Sequence, residues 1–275
     1  MIPTWLIEAE VYPNECEQLI QELERQNIKY VVCKFGKVYE DYLKDFNNDA
    51  CVVFHGSLQF GSLIRQKTNW TGLYCNLPQF QCSYYYPRIG EHLLNYNCMM
   101  IPFGCLNRRK ESLFGYMGKE DKIFVRPSSG FKTFTGKVAT KETWKKDFKL
   151  FEFYGIDPEE LVVVAPPSEI KREWRAVVAD NRIIAGSEYY TDEAWNKDLP
   201  VENLPAEVLQ YAQEVVTSSN YQPDPVWTID ICETKAGDLK VVEVGSFSCA
   251  GLYASDPEPI VKEVNRITIR EWEDQ

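Results

Sequence analysis

Histidine is almost absent from this chain: His55 and His92 are the only two in 275 residues. Chemistry that runs on histidine pairs or triads is thereby disfavoured. Cys-x-x-Cys pairs are missing as well. The nine cysteines, at 16, 33, 51, 75, 82, 98, 105, 232 and 249, are odd in number. That argues against a zinc site, and a disulfide framework is not expected in a chain this long. They read as buried free thiols in a reducing cytosol, so a cytoplasmic location is expected. Residues 1–10 carry no basic region followed by an apolar run, so no secretory leader is expected. No apolar stretch approaches the roughly 18 residues that a membrane span needs. Positive charge is also short. Lysine and arginine total 30 against 41 aspartates and glutamates, a formal net charge of −11. A protein that wraps extended nucleic acid by neutralising its phosphates is disfavoured. A local basic pocket for a small phosphate ligand is not, because net charge governs solubility and association rather than individual sites.

What is present is ordinary globular material, with 44% hydrophobic and 26% charged residues, enough for one large or two modest domains. Strands are expected at 5–7, 30–33 and 50–54, with a helix over 15–26 capped by Asn14 and carrying Leu19, Ile20 and Leu23 at helical spacing. This order predicts an open, mainly parallel α/β sheet. The aromatic stretch 70–87 reads as an irregular segment packed on that sheet. A further strand is expected at 98–102, and the polar run 107–110 marks a domain junction. The first domain is thus expected over 1–108. From 122 onwards the pattern is α+β. Strands are expected at 123–127, 161–165, 173–178, 182–187, 226–232 and 239–244, and helices at 143–154, 205–218 and 260–272. Gly155 suits a helix C-terminus and Asp180-Asn181 a hairpin turn.

Three constellations carry chemistry. The loop 128–137 holds Gly130 and Gly136 and is accompanied by Arg126, Lys132 and Lys137. Backbone N–H groups in such a loop approach phosphate oxygens, and the cations neutralise them; a solvated basic hairpin would show the same residues. Glu173 and Arg175 flank Trp174 in a strand, so alternation puts the two charges on one face. Charges turned inward need partners, such as nucleotide phosphate and ribose; a cross-strand salt bridge on a wet face is the other reading. Asp230 and Glu243 lie near the ends of two strands joined by a short turn, where antiparallel pairing makes them neighbours. Two adjacent carboxylates repel, and a magnesium ion relieves that repulsion while also taking phosphate oxygens. Their apolar flanks favour a buried strand end over a hairpin surface.

The ordered set Phe124-Val125-Arg126-Pro127-Ser128-Ser129-Gly130, Glu173-Trp174-Arg175, Asp230, and Val241-Val242-Glu243-Val244 resembles the ATP-grasp superfamily over about residues 120–256. It is most similar to a branch with an arginine/lysine exchange at the phosphate-contacting positions, Arg126 being the exchanged residue. The resemblance implies an α/β domain over 1–108 followed by an ATP-grasp domain over 109–275, whose subdomains, about 109–165 and 166–275, clasp ATP. It implies that Arg126, Lys132 and Lys137 contact phosphates and that Val164 and Ala165 pass the adenine. Glu169 reaches the ribose, Glu173 and Arg175 face the nucleotide, and Asp230 and Glu243 hold Mg2+. Arg175 and Lys132 are the expected catalytic residues. One departure stands out. Many members read Glu-x-Asn at the last metal motif, whereas this chain has Glu243-Val244-Gly245-Ser246, so an oxygen is lost unless Ser246 or water replaces it.

The chemistry so implied is a carboxylate–amine ligation. A substrate carboxylate attacks the γ-phosphorus of ATP, and an amine then displaces phosphate from the acyl phosphate. Positioning and charge neutralisation suffice, without a histidine base. A phosphotransferase on the same scaffold shares this ATP site, and a non-catalytic nucleotide-binding protein would account for Gly245. The expected partners are ATP and small-molecule or peptide carboxylates and amines, such as amino acids, peptides or a modified base. The segment 246–253 is expected to line the acceptor side, with Tyr253 orienting a ligand.

Overall fold

The structure is a computed structural model that describes residues 2–34, 38–131, 133–192 and 203–275. They part into two compact units: Met1–Asn76 with Ile170–Ser218 and Gln222–Gln275, and Leu77–Glu169 with Ser219–Tyr221. This partition differs from the expected junction at 108, because strand pairing and helix packing unite segments that are far apart in the chain.

The first unit begins with β1 (Thr4–Ile7), α1 (Pro13–Arg25), β2 (Tyr30–Val32), α2 (Tyr39–Leu43), β3 (Val52–His55) and α3 (Leu58–Lys67). The strands form the expected parallel sheet, in the order β2-β1-β3. Helix α1 starts at Pro13, with Tyr12 as its cap and no side-chain capping bond, so Asn14 lies inside the first turn rather than before it. Proline's fixed φ and missing N–H suit that first position.

The second unit carries α4 (Cys82–Ile89), β4 (Met99–Pro102), α5 (Phe103–Leu106), α6 (Lys110–Met117), β5 (Lys122–Pro127), β6 (Lys137–Thr140), α7 (Trp144–Phe153) and β7 (Leu161–Ala165). Two expectations are corrected here. The aromatic stretch is not irregular throughout, because Cys82, Tyr85, Tyr86 and Ile89 are buried at helical spacing along α4, whose Pro87 lies near its end. The strand at 99–102 does not extend the parallel sheet. It pairs antiparallel with β7 in a sheet of order β4-β7-β5-β6, so the expected junction at 107–110 falls inside this unit. One face of that sheet buries Ile123, Val125, Val162 and Val164 against Trp144 and Phe151 of α7 and Leu113 of α6. Gly155 takes φ +68° behind α7 and donates to the carbonyl of Glu152, the helix end expected from the sequence.

The chain then returns to the first unit through β8 (Ile170–Ala179), β9 (Arg182–Thr191), α8 (Ala206–Ser218), β10 (Val226–Thr234), β11 (Leu239–Ser246) and α9 (Pro257–Glu273). The four strands form an antiparallel sheet of order β11-β10-β8-β9. Asp180 and Asn181 take positive φ, 46° and 62°, in the β8–β9 hairpin. Helix α9 joins early and late chain. Its Ile260, Val261, Val264 and Ile267 share a core with Trp5 and Ile7 of β1, Leu19 and Leu23 of α1, and Val177 of β8. Burying each such aliphatic side chain stabilises by about 1.5–3 kcal/mol. The Trp5 indole N–H donates to Asn265 Oδ1 of the same helix at 2.8 Å. Among the described residues no helix is long and apolar enough to cross a membrane.

Candidate active site

In the first unit the central residue is Asp230, on β10. The register sets it opposite Arg175 of β8 on one side and opposite Glu243 of β11 on the other. Three residues separated by 55 and 13 positions therefore form one row across three strands, all on one face. Asp230 and Arg175 are buried. The Arg175 guanidinium grips the carboxylate with two bonds, Nε to Oδ1 at 2.8 Å and Nη2 to Oδ2 at 2.7 Å. Its Nη1 donates to the Gly251 carbonyl at 3.0 Å, and Nη2 stands 3.8 Å from Glu243 Oε1. Burial pushes the guanidinium toward losing its proton, but the Asp230 charge and its hydrogen bonds hold Arg175 above its ordinary range.

Two β-bulges shape this face. Between β10 and β11 the register steps from Asp230↔Glu243 to Ile231↔Val241, leaving Val242 as the extra residue beside the acidic pair. Between β8 and β9 it steps from Glu173↔Tyr190 to Trp174↔Glu188, which makes Tyr189 the extra residue. The bulge brings Tyr189 onto the charged face. Its hydroxyl donates to Glu173 Oε2 at 2.5 Å and lies 3.4 Å from Asp230 Oδ2. Its ring stacks on Tyr253 with centroids 4.6 Å apart, and the Arg175 guanidinium lies 5.7 and 5.0 Å from the two ring centres. Burial lifts the Glu173 carboxyl to about 7, opposed by the Tyr189 hydrogen bond and supported by the charges of Asp230 and Glu243.

The segment after β11 is held by α1 and the turn before it. Tyr12 donates its hydroxyl to the Cys249 carbonyl at 3.0 Å, and Glu15 accepts from the Leu252 N–H at 2.5 Å. Gly251 is required there, since a β-carbon would come within 3.0–3.1 Å of both Glu15 oxygens. Tyr253 takes a positive φ of 52°, an uncommon conformation for an aromatic residue. The expectation that Ser246 replaces the missing asparagine meets a geometric obstacle. Ser246 pairs with Trp227, so alternation turns it to the face opposite Glu243, toward the thiols of Cys75 and Cys249. Gly245 pairs with Thr228, whose Oγ1 lies 2.9 Å from where a β-carbon at 245 would stand.

The other expected residues lie in the second unit. Arg126 of β5 is buried, opposite Val163 of β7 and on the face away from Ile123 and Val125. Gly136 comes close to it; a β-carbon there would lie 3.2 Å from Arg126 Cβ and 2.7 Å from the Phe124 ring. Lys137 does not join Arg126. It is opposite Val125, hence on the other face of the sheet, where its Nζ pairs with buried Asp147 of α7 at 2.5 Å. Val164 and Ala165 are fully buried. Val164 has ladder partners on both sides, Met99 and Val125, whereas Ala165 pairs with Phe124 alone. Glu169 is exposed. Lys132 lies outside the described residues. Tyr189 and Glu15 were missed by sequence reasoning. A bulge leaves no mark on alternation, and Glu15 reads as an ordinary acidic residue of a first helical turn.

Known proteins share this fold at low sequence identity. No curated protein matches the sequence. Solved structures do match in fold. D-cycloserine synthetase DcsG is 12% identical with a TM-score of 0.66, covering 97% of this chain and 100% of its own. N5-carboxyaminoimidazole synthetase from Staphylococcus aureus complexed with ADP is 12% identical with a TM-score of 0.61, covering 96% and 77%. D-alanine–D-alanine ligase from Bacillus anthracis complexed with ATP is 14% identical with a TM-score of 0.57, covering 100% and 99%. The family model for the ATP-grasp domain, family 2 of the arginine-to-lysine clade, matches residues 109–263. With the basic strand end at Arg126 and the Arg175–Asp230–Glu243 row inside that match, the chain belongs to the ATP-grasp family, in family 2 of the arginine-to-lysine clade.

Proposed function

We propose that this protein is an ATP- and magnesium-dependent carboxylate–amine ligase that works through an acyl phosphate. The observation that carries this reading is the buried row Arg175–Asp230–Glu243 in a chain of ATP-grasp family and fold. The ligase and synthetase names of its structural neighbours, two of them holding ATP or ADP, support it.

The residues present fit magnesium. Asp230 and Glu243 offer hard oxygen donors, directly opposed across a ladder. Among the described residues no group of three or more His, Cys, Asp and Glu could hold a metal by itself. Two carboxylates without a third suit an ion that completes its shell with water and phosphate oxygens. Bound magnesium would neutralise charge on the phosphates of ATP. Asp230 and Glu243 would hold it, and Arg175 would steady the negative charge that develops on the transferring phosphoryl group. Arg126 and Lys132 are assigned to phosphate oxygens, the backbone around Val164 and Ala165 to the adenine edge, and Glu169 to the ribose. Lys137 is committed to Asp147 and supports the fold of its own unit. Tyr189 and Tyr253 flank Arg175 and keep water from it, which strengthens its electrostatic effect.

The test is ATP turnover to ADP and phosphate by purified protein with Mg2+, stimulated by pools of amino acids and peptides and compared with Glu243→Ala. Stimulated turnover that disappears in the variant supports the ligase, and an amide product separates it from a phosphotransferase. Gly245 favours a second, non-catalytic reading, since it offers no side-chain oxygen beside Glu243. Binding of Mg·ATP with no pool stimulating turnover would favour that reading. Failure of wild type to bind ATP would refute both.

A further inference from the structure

We propose that Arg175 is the resting counter-ion of the acidic pair, so that a divalent cation must compete with it for Asp230. This rests on the reading of Asp230 and Glu243 as the metal ligands, and adds a second role for Arg175. Both Asp230 oxygens are already engaged by the guanidinium, at 2.8 and 2.7 Å, and Glu243 is 3.8 Å from the same Nη2. The side chains of Arg175 and Asp230 are only 9% and 2% exposed, so water does not screen the contact. A buried carboxylate beside a second one needs a cation, and without metal Arg175 is the cation at hand. The same contact opposes a metal. A divalent ion needs lone pairs on oxygens now facing N–H groups, and it is repelled by a positive charge a few ångströms away.

The grip is built to yield along a defined path. Arg175 has a second anchor, the Gly251 carbonyl, and lies beside the stacked rings of Tyr189 and Tyr253. A guanidinium leaving Asp230 can thus keep its bond to Gly251 and its place beside two aromatic faces. When a metal–nucleotide complex takes the carboxylates, the freed Nε and Nη2 donors become available to phosphate oxygens. The residue assigned to the transferring phosphate is therefore presented only once the metal has arrived. Metal affinity is kept low in the empty protein and rises with nucleotide, which supplies the favourable contacts that displacement of Arg175 needs.

The test is Mn2+ binding, followed by electron paramagnetic resonance, with and without ADP. Full-length wild type is compared with Arg175→Gln, Arg175→Lys, Asp230→Asn and Arg172→Gln. Arg172 is a control because it pairs with Glu188 and stacks on Trp174, on the other face of β8. Without nucleotide, Arg175→Gln should bind Mn2+ at least tenfold more tightly than wild type. Arg175→Lys should fall between them, Arg172→Gln should match wild type, and Asp230→Asn should lose binding. Arg175→Gln binding no more tightly than wild type overturns the proposal, as does an equal gain in Arg172→Gln, which would reduce the effect to net charge. If Arg175→Gln does not fold, Arg175→Lys decides: tighter binding than wild type supports the competition, and equal or weaker binding ends it. Wild type failing to bind Mn2+ with ADP would instead count against the ATP-grasp metal site itself. That arm is read separately from the nucleotide-free comparison.

Discussion

Replacing Asp230 by asparagine should destabilise the protein far more than replacing Asp230 and Arg175 together by apolar residues. Asp230→Asn keeps the shape but leaves a guanidinium, 9% exposed, without its two charged bonds at 2.7 and 2.8 Å. Breaking a buried pair on one side costs about 3–5 kcal/mol. The lower end applies, because Glu243 at 3.8 Å and the Gly251 carbonyl at 3.0 Å remain as partners. A loss of about 3 kcal/mol lowers the midpoint of thermal unfolding by roughly 6–12 °C in a protein of this size. In Arg175→Met/Asp230→Leu both charges leave together. The desolvation cost leaves with them, so stability should return to within about 1 kcal/mol of wild type or exceed it. The assay is urea unfolding with EDTA and no nucleotide, followed by tryptophan fluorescence, since Trp174 and Trp227 lie on the neighbouring strands. A double variant as unstable as Asp230→Asn would refute the reasoning, as would an Asp230→Asn midpoint equal to wild type. The expected result would show that the pair serves the site rather than the fold.

Three further outcomes are expected. Arg175→Ala should lower stimulated ATP turnover by about 10²–10³-fold, while the Kd for ATP with Mg2+, measured by calorimetry, changes much less; equal losses in both would remove its transition-state role. Asp224 is lifted by burial to about 7 from 3.8, against the bond from the Asn76 N–H and the nearby Arg65 charge. The folded state thus holds this proton more tightly than the unfolded state. Its contribution is fully present below about pH 4 and is lost as pH rises toward 7, by at most about 1.4 kcal/mol per pH unit. Asp224→Asn should therefore gain on wild type between pH 4 and 7 in chemical denaturation, with a constant difference above; a difference independent of pH would refute this. Gly245→Ala should cost about 1–3 kcal/mol, because its β-carbon meets Thr228 Oγ1 at 2.9 Å. Adding Thr228→Ala should recover most of that loss in the same unfolding assay, and a purely additive double variant would refute the contact.

Local pattern was legible wherever neighbours along the chain decide the outcome. The β8–β9 turn at Asp180-Asn181, the helix end at Gly155, the parallel β1, β2 and β3, and the opposition of Asp230 and Glu243 across a short hairpin all follow from residues close in sequence. Alternation likewise placed Glu173 and Arg175 on one face, and the ordered motifs pointed to the family. The misreadings have physical causes. Tyr84-Tyr85-Tyr86 followed by proline suggested irregular chain, yet burial of every third or fourth side chain outweighs Pro87 near the end of α4. Lys137 looked like a phosphate contact until its register opposite Val125 turned it toward Asp147.

By itself, then, the sequence determined the chemical inventory: a protein with almost no histidine, a basic loop, an arginine in a strand, and two carboxylates one hairpin apart. Only the tertiary structure decided how that inventory is wired. The pairing of β8 with β10 joins residues 55 positions apart, and no local propensity encodes so distant a partner. That pairing makes Arg175 the neighbour of Asp230. The bulge at Tyr189, set by the fit of two strands rather than by any short motif, supplies the ring beside it.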